Sequence, residues 1–313
     1  MKKEINTKEE NMLKEALVNV TSLNFTKSLL SQSYQNYFKG HENEVIKMLN
    51  EGLSLLHETA KRNSRKLPEI SKYISSKIFK IKNTSFWFGQ MYKEYKLKVR
   101  PLEDFSVINQ FINPNDSLLC YGSGGGYLAL FLSKKGYRVS TTDVLNHRTD
   151  EAKRLPFELI KSNNELPFAD NSFSATIVKA VLHHIEADKL PKVMRELHRV
   201  SRRLIVEEDI YNISKASPEL PLLIPSQPEL KKFILLSKEE QFQVLLLIDY
   251  FSNVSIQGII NMNLPFQYKS IETWEKVFDK FGFKTKKTQL VGFRKNIVHK
   301  TCHAWLVAEK CHL

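Results

Sequence analysis

Three cysteines in 313 residues, Cys120, Cys302 and Cys311, are too few for a disulfide framework and fit a reducing compartment. Long apolar runs are missing too: Val244 to Ile248 is five residues long, against the roughly 18 that a membrane span needs. Met1 to Glu10 is charged throughout, unlike a signal peptide, so a cytoplasmic protein is expected. There is no internal repeat and no low-complexity tract, which sets aside solenoids and fibrous chains. Acid is scarce beside base, with 34 Asp and Glu against 47 Lys and Arg and a formal net charge of +13. A chain of this length can bury a substantial core in one large or two modest domains. Cys302 and Cys311 stand near His299, His303 and His312, but His303-Ala-Trp-Leu-Val-Ala alternates like a final strand, so no metal is expected.

Glycine is sparse, at 11 residues, yet three of them alternate in one short stretch. The apolar run Leu118, Leu119, Cys120, Tyr121 enters Gly122, Gly124 and Gly126; a helical stretch, Leu128 to Lys135, follows and stops at Gly136. A second strand, Tyr137 to Thr142, then finishes on Asp143, seventeen positions past Gly126. Strand, glycine turn, helix and strand-ending acid form a unit that binds a nucleoside-containing cofactor. Backbone approaches the ligand at the glycines, and the carboxylate accepts from two ribose hydroxyls. Dinucleotide sites favour G-x-G-x-x-G with a pyrophosphate on the helix N-terminus. The spacing here is the tighter G-x-G-x-G.

Farther along stand Leu166-Pro-Phe-Ala-Asp-Asn-Ser-Phe173, the strand Ala175 to Val181, and Leu182-His-His-Ile185. With these segments the chain resembles the class I S-adenosylmethionine-dependent methyltransferases, in particular the small-molecule branch that includes quinone-biosynthesis C-methyltransferases. The resemblance covers about Pro101 to Val206, with a looser match in the tail. It implies S-adenosylmethionine as cofactor. It places Gly122, Gly124 and Gly126 at the methionine moiety and Asp143 at the ribose, with Ser123 and Val144 also among the cofactor-binding residues. Ser162 and Asn163 fall at adenine, and Lys179 and Ala180 lie beside the methyl donor. Three positions depart from the family pattern: Cys120 replaces the acid that usually opens the glycine motif, Ser174 replaces an Asp, and a Pro-Gly-Gly turn is missing after Arg199-Val.

The periodicities predict an α/β fold: a Rossmann-like, doubly wound, mostly parallel sheet with a C-terminal antiparallel hairpin, a helical N-terminal extension and a helical lid insertion. The expected strands are Leu118–Tyr121, Arg138–Thr142, Phe157–Ile160, Ala175–Val181 and Leu204–Glu207. Residues 1–100 are expected to form a helical cap, 101–211 with 264–313 the core, and 212–263 the lid. Val45, Leu49, Leu53 and Leu56 form one helical stripe, and Ile70, Ile74, Ile78 and Ile81 another. Ser237 with Glu240 caps a lid helix. Residues 61–100 hold twelve Lys and Arg against Glu69 and Glu94, with Phe86, Trp87 and Phe88 among them. A solvated helix face that docks its aromatics on the core explains this stretch; a nucleic-acid surface is the alternative.

Methyl transfer asks the protein to align a nucleophile and exclude water, with a base where the acceptor carries a proton. Candidates lie past the carboxyl ends of the strands: His183 and His184 after the fourth, and Glu207, Glu208 and Asp209 after the fifth. Three adjacent buried acids cannot all be charged without partners, so Asp209 at least should face the cleft or cap the next segment. Asp249 and Asn253 share a helix face in the lid, and Tyr34 and Tyr37 lie in a polar-aromatic stretch of the cap. His183, His184, Asp209 and Asp249 are the candidate catalytic residues. The expected function is transfer of a methyl group to a small, partly apolar acceptor by in-line attack. An RNA or protein methyltransferase gripping its target with residues 61–100, or a catalytically weak cofactor-binding regulator, are the alternatives.

Overall fold

The computed structural model describes residues 7–37, 40–62, 67–84, 90, 93–160, 165–256, 258–259, 264–294 and 300–311. The chain forms two compact units: Met1–Lys93 with Ile210–Phe266 and Val291–Cys302, and Glu94–Asp209 with Gln267–Leu290 and His303–Leu313. In chain order the first unit supplies helices α1 (Thr7–Val18), α2 (Val20–Tyr37), α3 (Glu42–Lys61) and α4 (Leu67–Thr84). The second supplies α5 (Arg100–Ile108), β1 (Ser117–Tyr121), α6 (Tyr127–Lys134), β2 (Arg138–Asp143), β3 (Phe157–Leu159), β4 (Ala175–Lys179), α7 (Leu190–Val200) and β5 (Arg203–Asp209). Helix α8 (Lys238–Tyr250) belongs to the first unit, and α9 (Ile271–Lys280), β6 (Phe283–Gly292) and β7 (His303–Lys310) end the chain.

The helical unit follows from its stripes. Val45, Leu49, Leu53 and Leu56 of α3 are all buried, as the helical period requires. On α4, Ile74 is buried and Ile70 half-buried, while the side chains of Ile78 and Ile81 lie outside the described residues. Helix α8 is buried from Gln243 to Tyr250, with Val244 to Ile248 an unbroken apolar run, so it forms the centre of this unit. A complete capping box starts it: Ser237 Oγ accepts from the Glu240 amide and the Glu240 carboxylate accepts from the Ser237 amide. Two buried hydrogen bonds fix its rotation, Ser22 Oγ to Gln243 Oε1 at 2.9 Å and Ser71 to Tyr250 at 2.5 Å between hydroxyls.

The other unit is a seven-stranded sheet in the order β3-β2-β1-β4-β5-β7-β6. The first five are parallel neighbours, and β7 runs antiparallel to β5. With helices on both faces this is a Rossmann-like fold with a C-terminal antiparallel hairpin, as the alternation of strand and helix predicted. Strand β1 is apolar without alternation because both of its faces are covered. Strand order reverses between β1 and β4, and ligands in open α/β sheets bind at such a switch point, past the carboxyl ends of the strands.

Two strand ends differ from the sequence reading. β4 stops at Lys179 rather than Val181, because Ala180 turns to a left-handed φ of 52°. β5 runs on to Asp209, with Glu208 and Asp209 in register with Ala304 and His303 of β7. Ser174, in place of the expected Asp, exchanges hydrogen bonds with Ser117: its amide donates to Ser117 Oγ at 3.0 Å, and the Ser117 amide donates to Ser174 Oγ at 3.2 Å. The substitution thus staples the start of β1 to β4. Arg199 of α7 clamps the segment between β3 and β4, donating to the carbonyls of Leu166 at 2.8 Å and Phe168 at 2.5 Å, to Asp170 at 3.0 Å and to Glu196 at 2.7 Å.

Candidate cofactor site and active centre

The glycine loop is tied at both ends. The Ser123 amide donates to the Thr142 carbonyl at 3.0 Å, and the Thr149 amide donates to the Gly125 carbonyl at 3.0 Å. Gly122 has φ 66°, and a Cβ there would lie 2.5 Å from Val181 Cγ2. Gly126 has φ 76°, and a Cβ there would lie 2.6 Å from Ala152 Cβ. Both positions combine left-handed backbone with a close approach, so no other residue fits without strain. Gly124 is different: a Cβ there would meet nothing within 4 Å, so this side of the loop is open.

Asp143 closes β2 beside the loop. Its Oδ2 accepts from the Gly124 amide at 2.8 Å and its Oδ1 from the Leu145 amide at 3.3 Å. Only 8% exposed, this carboxylate is fixed in place, with acceptor capacity left for further donors. The next two residues are apolar and open, Val144 at 61% and Leu145 at 60% exposure. Ser123 Oγ is buried and has no hydrogen-bond partner among the described residues. An open glycine, an orphaned buried hydroxyl and a fixed carboxylate at one strand edge fit S-adenosylmethionine, whose ribose and methionine groups supply the missing donors and acceptors. Ser162 and Asn163 lie outside the described residues.

Cys120 brings no charge to this edge, since burial pushes its thiol up to about 12. The Tyr121 hydroxyl is raised as well, by burial first and by the Asp143 charge second.

Beyond the loop, each of the three acids of β5 holds its own basic partner. Glu207 Oε2 lies 2.8 Å from Lys179 Nζ, which is also 3.4 Å from Asp104 Oδ2 of α5. Glu208 Oε1 accepts from the amides of Val181 at 3.1 Å and Leu182 at 2.7 Å, and its Oε2 lies 2.5 Å from His183 Nδ1. Asp209 Oδ1 lies 2.9 Å from His303 Nδ1. Strand alternation explains the division: Glu207 and Asp209 project to one face and Glu208 to the other. The His183 ring is 1% exposed, with its centroid 4.1 Å from that of His184 and 4.9 Å from that of Tyr268. Lys179, expected beside the methyl donor, turns its ammonium to Glu207 and Asp104.

Asp249 belongs to the helical unit, buried on α8, and accepts from Asn253 Nδ2 at 2.5 Å. Tyr34 is buried in the same unit, and the side chain of Tyr37 lies outside the described residues. The sequence reading missed two participants, Asp104 and His303. Neither stands in a motif; the β5–β7 register puts His303 opposite Asp209, and α5 brings Asp104 to Lys179.

Residues 119–203 match the family model described as methyltransferase domain. That segment holds the glycine loop, Asp143, the strand-four edge and α7: it is a class I S-adenosylmethionine-dependent methyltransferase domain. The chain thus carries a methyltransferase domain of that class, whose cofactor is S-adenosylmethionine. The match is to the family as a whole and does not single out the quinone-methylating branch. No curated protein matches the chain at a significant level. Solved structures that the chain resembles include an S-adenosylmethionine-dependent methyltransferase from Methanosarcina mazei, at 16% identity and TM-score 0.44 over 66% of this chain and 98% of that one. Another is the Burkholderia thailandensis 1,6-didemethyltoxoflavin-N1-methyltransferase with bound 1,6-didemethyltoxoflavin and S-adenosylhomocysteine, at 11% identity and TM-score 0.44 over 76% and 87%. A third is the magnesium protoporphyrin IX methyltransferase from Synechocystis PCC 6803 with the same bound product, at 15% identity and TM-score 0.43 over 69% and 85%. Among the described residues, no helix is long and apolar enough to cross a membrane.

Proposed function

We propose that the enzyme methylates a small, partly apolar molecule at an atom that carries a proton, and that His183 removes this proton. The supporting observation is the carboxylate of Glu208, buried and held by two backbone amides while it faces His183 Nδ1 at 2.5 Å. A carboxylate opposite Nδ1 keeps the ring proton on that nitrogen, so Nε2 is the atom that takes a proton, and the resulting imidazolium is stabilised by its partner. Glu208 is then a positioning residue, as Asp209 is for His303. His184 and Tyr268 flank the His183 ring and limit water around it.

Ser123, Gly124 and Asp143 hold the cofactor, with the exposed Val144 and Leu145 offering apolar surface to its adenine. When bound, S-adenosylmethionine supplies a methyl group on a sulfonium, which a nucleophile takes by in-line displacement.

The reading is tested with methyl-labelled S-adenosylmethionine offered to small aromatic alcohols and amines, to bulk RNA and to peptides. Label transferred to the small molecules supports it; label entering RNA or peptide alone refutes it and points to the basic residues between 61 and 100.

A further inference from the structure

We infer that the buried cluster of Asp104, Lys179 and Glu207 is the counter-charge of the cofactor's sulfonium, and that it makes the site prefer S-adenosylmethionine over the demethylated product. This rests on the reading of the glycine loop as the cofactor site. One ammonium is shared by two carboxylates, at 2.8 Å from Glu207 and 3.4 Å from Asp104, and all three groups are largely buried. The three together carry a formal charge of minus one when ionised, inside a low-dielectric edge of the sheet.

Their place is fixed by register. Tyr121, the last residue of β1, pairs with Val178, and Lys179 with Glu207, so Lys179 and Glu207 stand one residue beyond the row in which β1 ends, beside the start of the glycine loop at Gly122. Strands lie about 4.8 Å apart, which puts the pair within roughly 10 Å of the glycine loop. Asp104 reaches the pair from α5 and is 2% exposed. One step below on the same face stands Cys120, in register with Ile177, a buried neutral thiol that adds nothing to the charge.

The ligand's own chemistry completes the argument. The methionine end of S-adenosylhomocysteine is a zwitterion, ammonium and carboxylate, with no net charge. S-adenosylmethionine adds a sulfonium and is net positive. A net negative cluster therefore attracts the donor as a charge, whereas with the product its effects on ammonium and carboxylate partly cancel. Discrimination follows from net charge, and release of the spent cofactor is favoured.

Isothermal titration of the full chain with S-adenosylmethionine, S-adenosylhomocysteine and sinefungin, whose amine replaces the sulfonium with another cation, tests this without an acceptor. In Asp104→Asn the donor and sinefungin should bind roughly four- to seventeenfold more weakly, the effect of a unit charge about 10 Å away at an effective dielectric of about 20 to 40. The product should change less than about threefold. Asp104→Glu, which keeps the charge, should preserve the native ratio. Equal weakening of all three ligands in Asp104→Asn, or no weakening, overturns the inference and leaves the cofactor site standing. Should Asp104→Asn not fold, native protein decides: product bound more tightly than both charged ligands overturns it. Native protein that binds none of the three overturns the cofactor site as well.

Discussion

Asp143→Asn keeps the size of the side chain and removes its charge, and the structure says what that costs. The carboxylate holds the glycine loop through the Gly124 amide at 2.8 Å and its own turn through the Leu145 amide at 3.3 Å. An amide has one acceptor oxygen, and the shorter bond decides its orientation: the oxygen turns to Gly124. The amino group then faces the ribose side, where a donor meets hydroxyls that had been donating. One charge-assisted hydrogen bond to the cofactor is lost, worth about 1.5–3 kcal/mol, or roughly 10- to 150-fold in Kd. Because the loop tether survives, the melting temperature without ligand should move little. Donor and product carry the same ribose, so titration calorimetry should find both weakened by the same factor, unlike the split expected for Asp104→Asn. A change below about threefold for either ligand would falsify the assignment of Asp143 to the ribose.

Gly126→Ala places a methyl carbon 2.6 Å from Ala152 Cβ on backbone at φ 76°, and should destabilise the fold by about 1–3 kcal/mol; an unchanged thermal midpoint refutes the steric argument. Arg199→Met removes the clamp on the Leu166 and Phe168 carbonyls and should cost about 1.5–3 kcal/mol in denaturant titrations. Its pH dependence is a second check. Glu196 is held below its ordinary value of 4.5, first by its hydrogen bond from Arg199, with burial opposing. A carboxyl depressed on folding contributes stability that is present above the unfolded value and lost as pH falls through the folded one. The native chain should therefore lose this contribution in acid below about pH 4.5, and Arg199→Met should show a flatter acid limb; identical slopes speak against the pairing. Once an acceptor is found, His183→Gln should lower turnover by about 10²- to 10⁴-fold with cofactor affinity nearly unchanged; a matching loss of cofactor affinity assigns it to folding.

What was legible in the sequence is what is local in the chain. The glycine loop and Asp143 lie within one strand-turn-helix-strand unit, and the Ser237–Glu240 box within one turn of α8. The parallel sheet with helices on both faces followed from the alternation of strand and helix. The partners of the β5 acids were not legible, because each depends on a different neighbour: Glu207 on β4 and α5, Glu208 on the turn after β4, Asp209 on β7. Asp209, expected to face the cleft or cap the next segment, lies 2.9 Å from His303 Nδ1, a residue whose strand pairing no local pattern states. The early end of β4 was hidden for the opposite reason: Ala180 adopts a left-handed φ that alanine avoids, so its sequence argues for continued strand.

The Asp209–His303 pair also has a place in time. Strands β1 to β5 are made consecutively, each joining a neighbour already present, and the last of them ends at Asp209. β7 starts at His303, after the chain has laid down the whole of α8 and α9. At synthesis rates of roughly 5–20 residues per second, the interval of about ninety residues lasts roughly 5–20 s. Through that interval the open edge of β5 has no partner on its far side and the Asp209 carboxylate has no imidazole. The glycine loop and Asp143 can thus form while the chain is still being made, and a cofactor bound there would hold the half-built sheet by mass action. The strand that gives Asp209 its partner arrives after the glycine loop and Asp143.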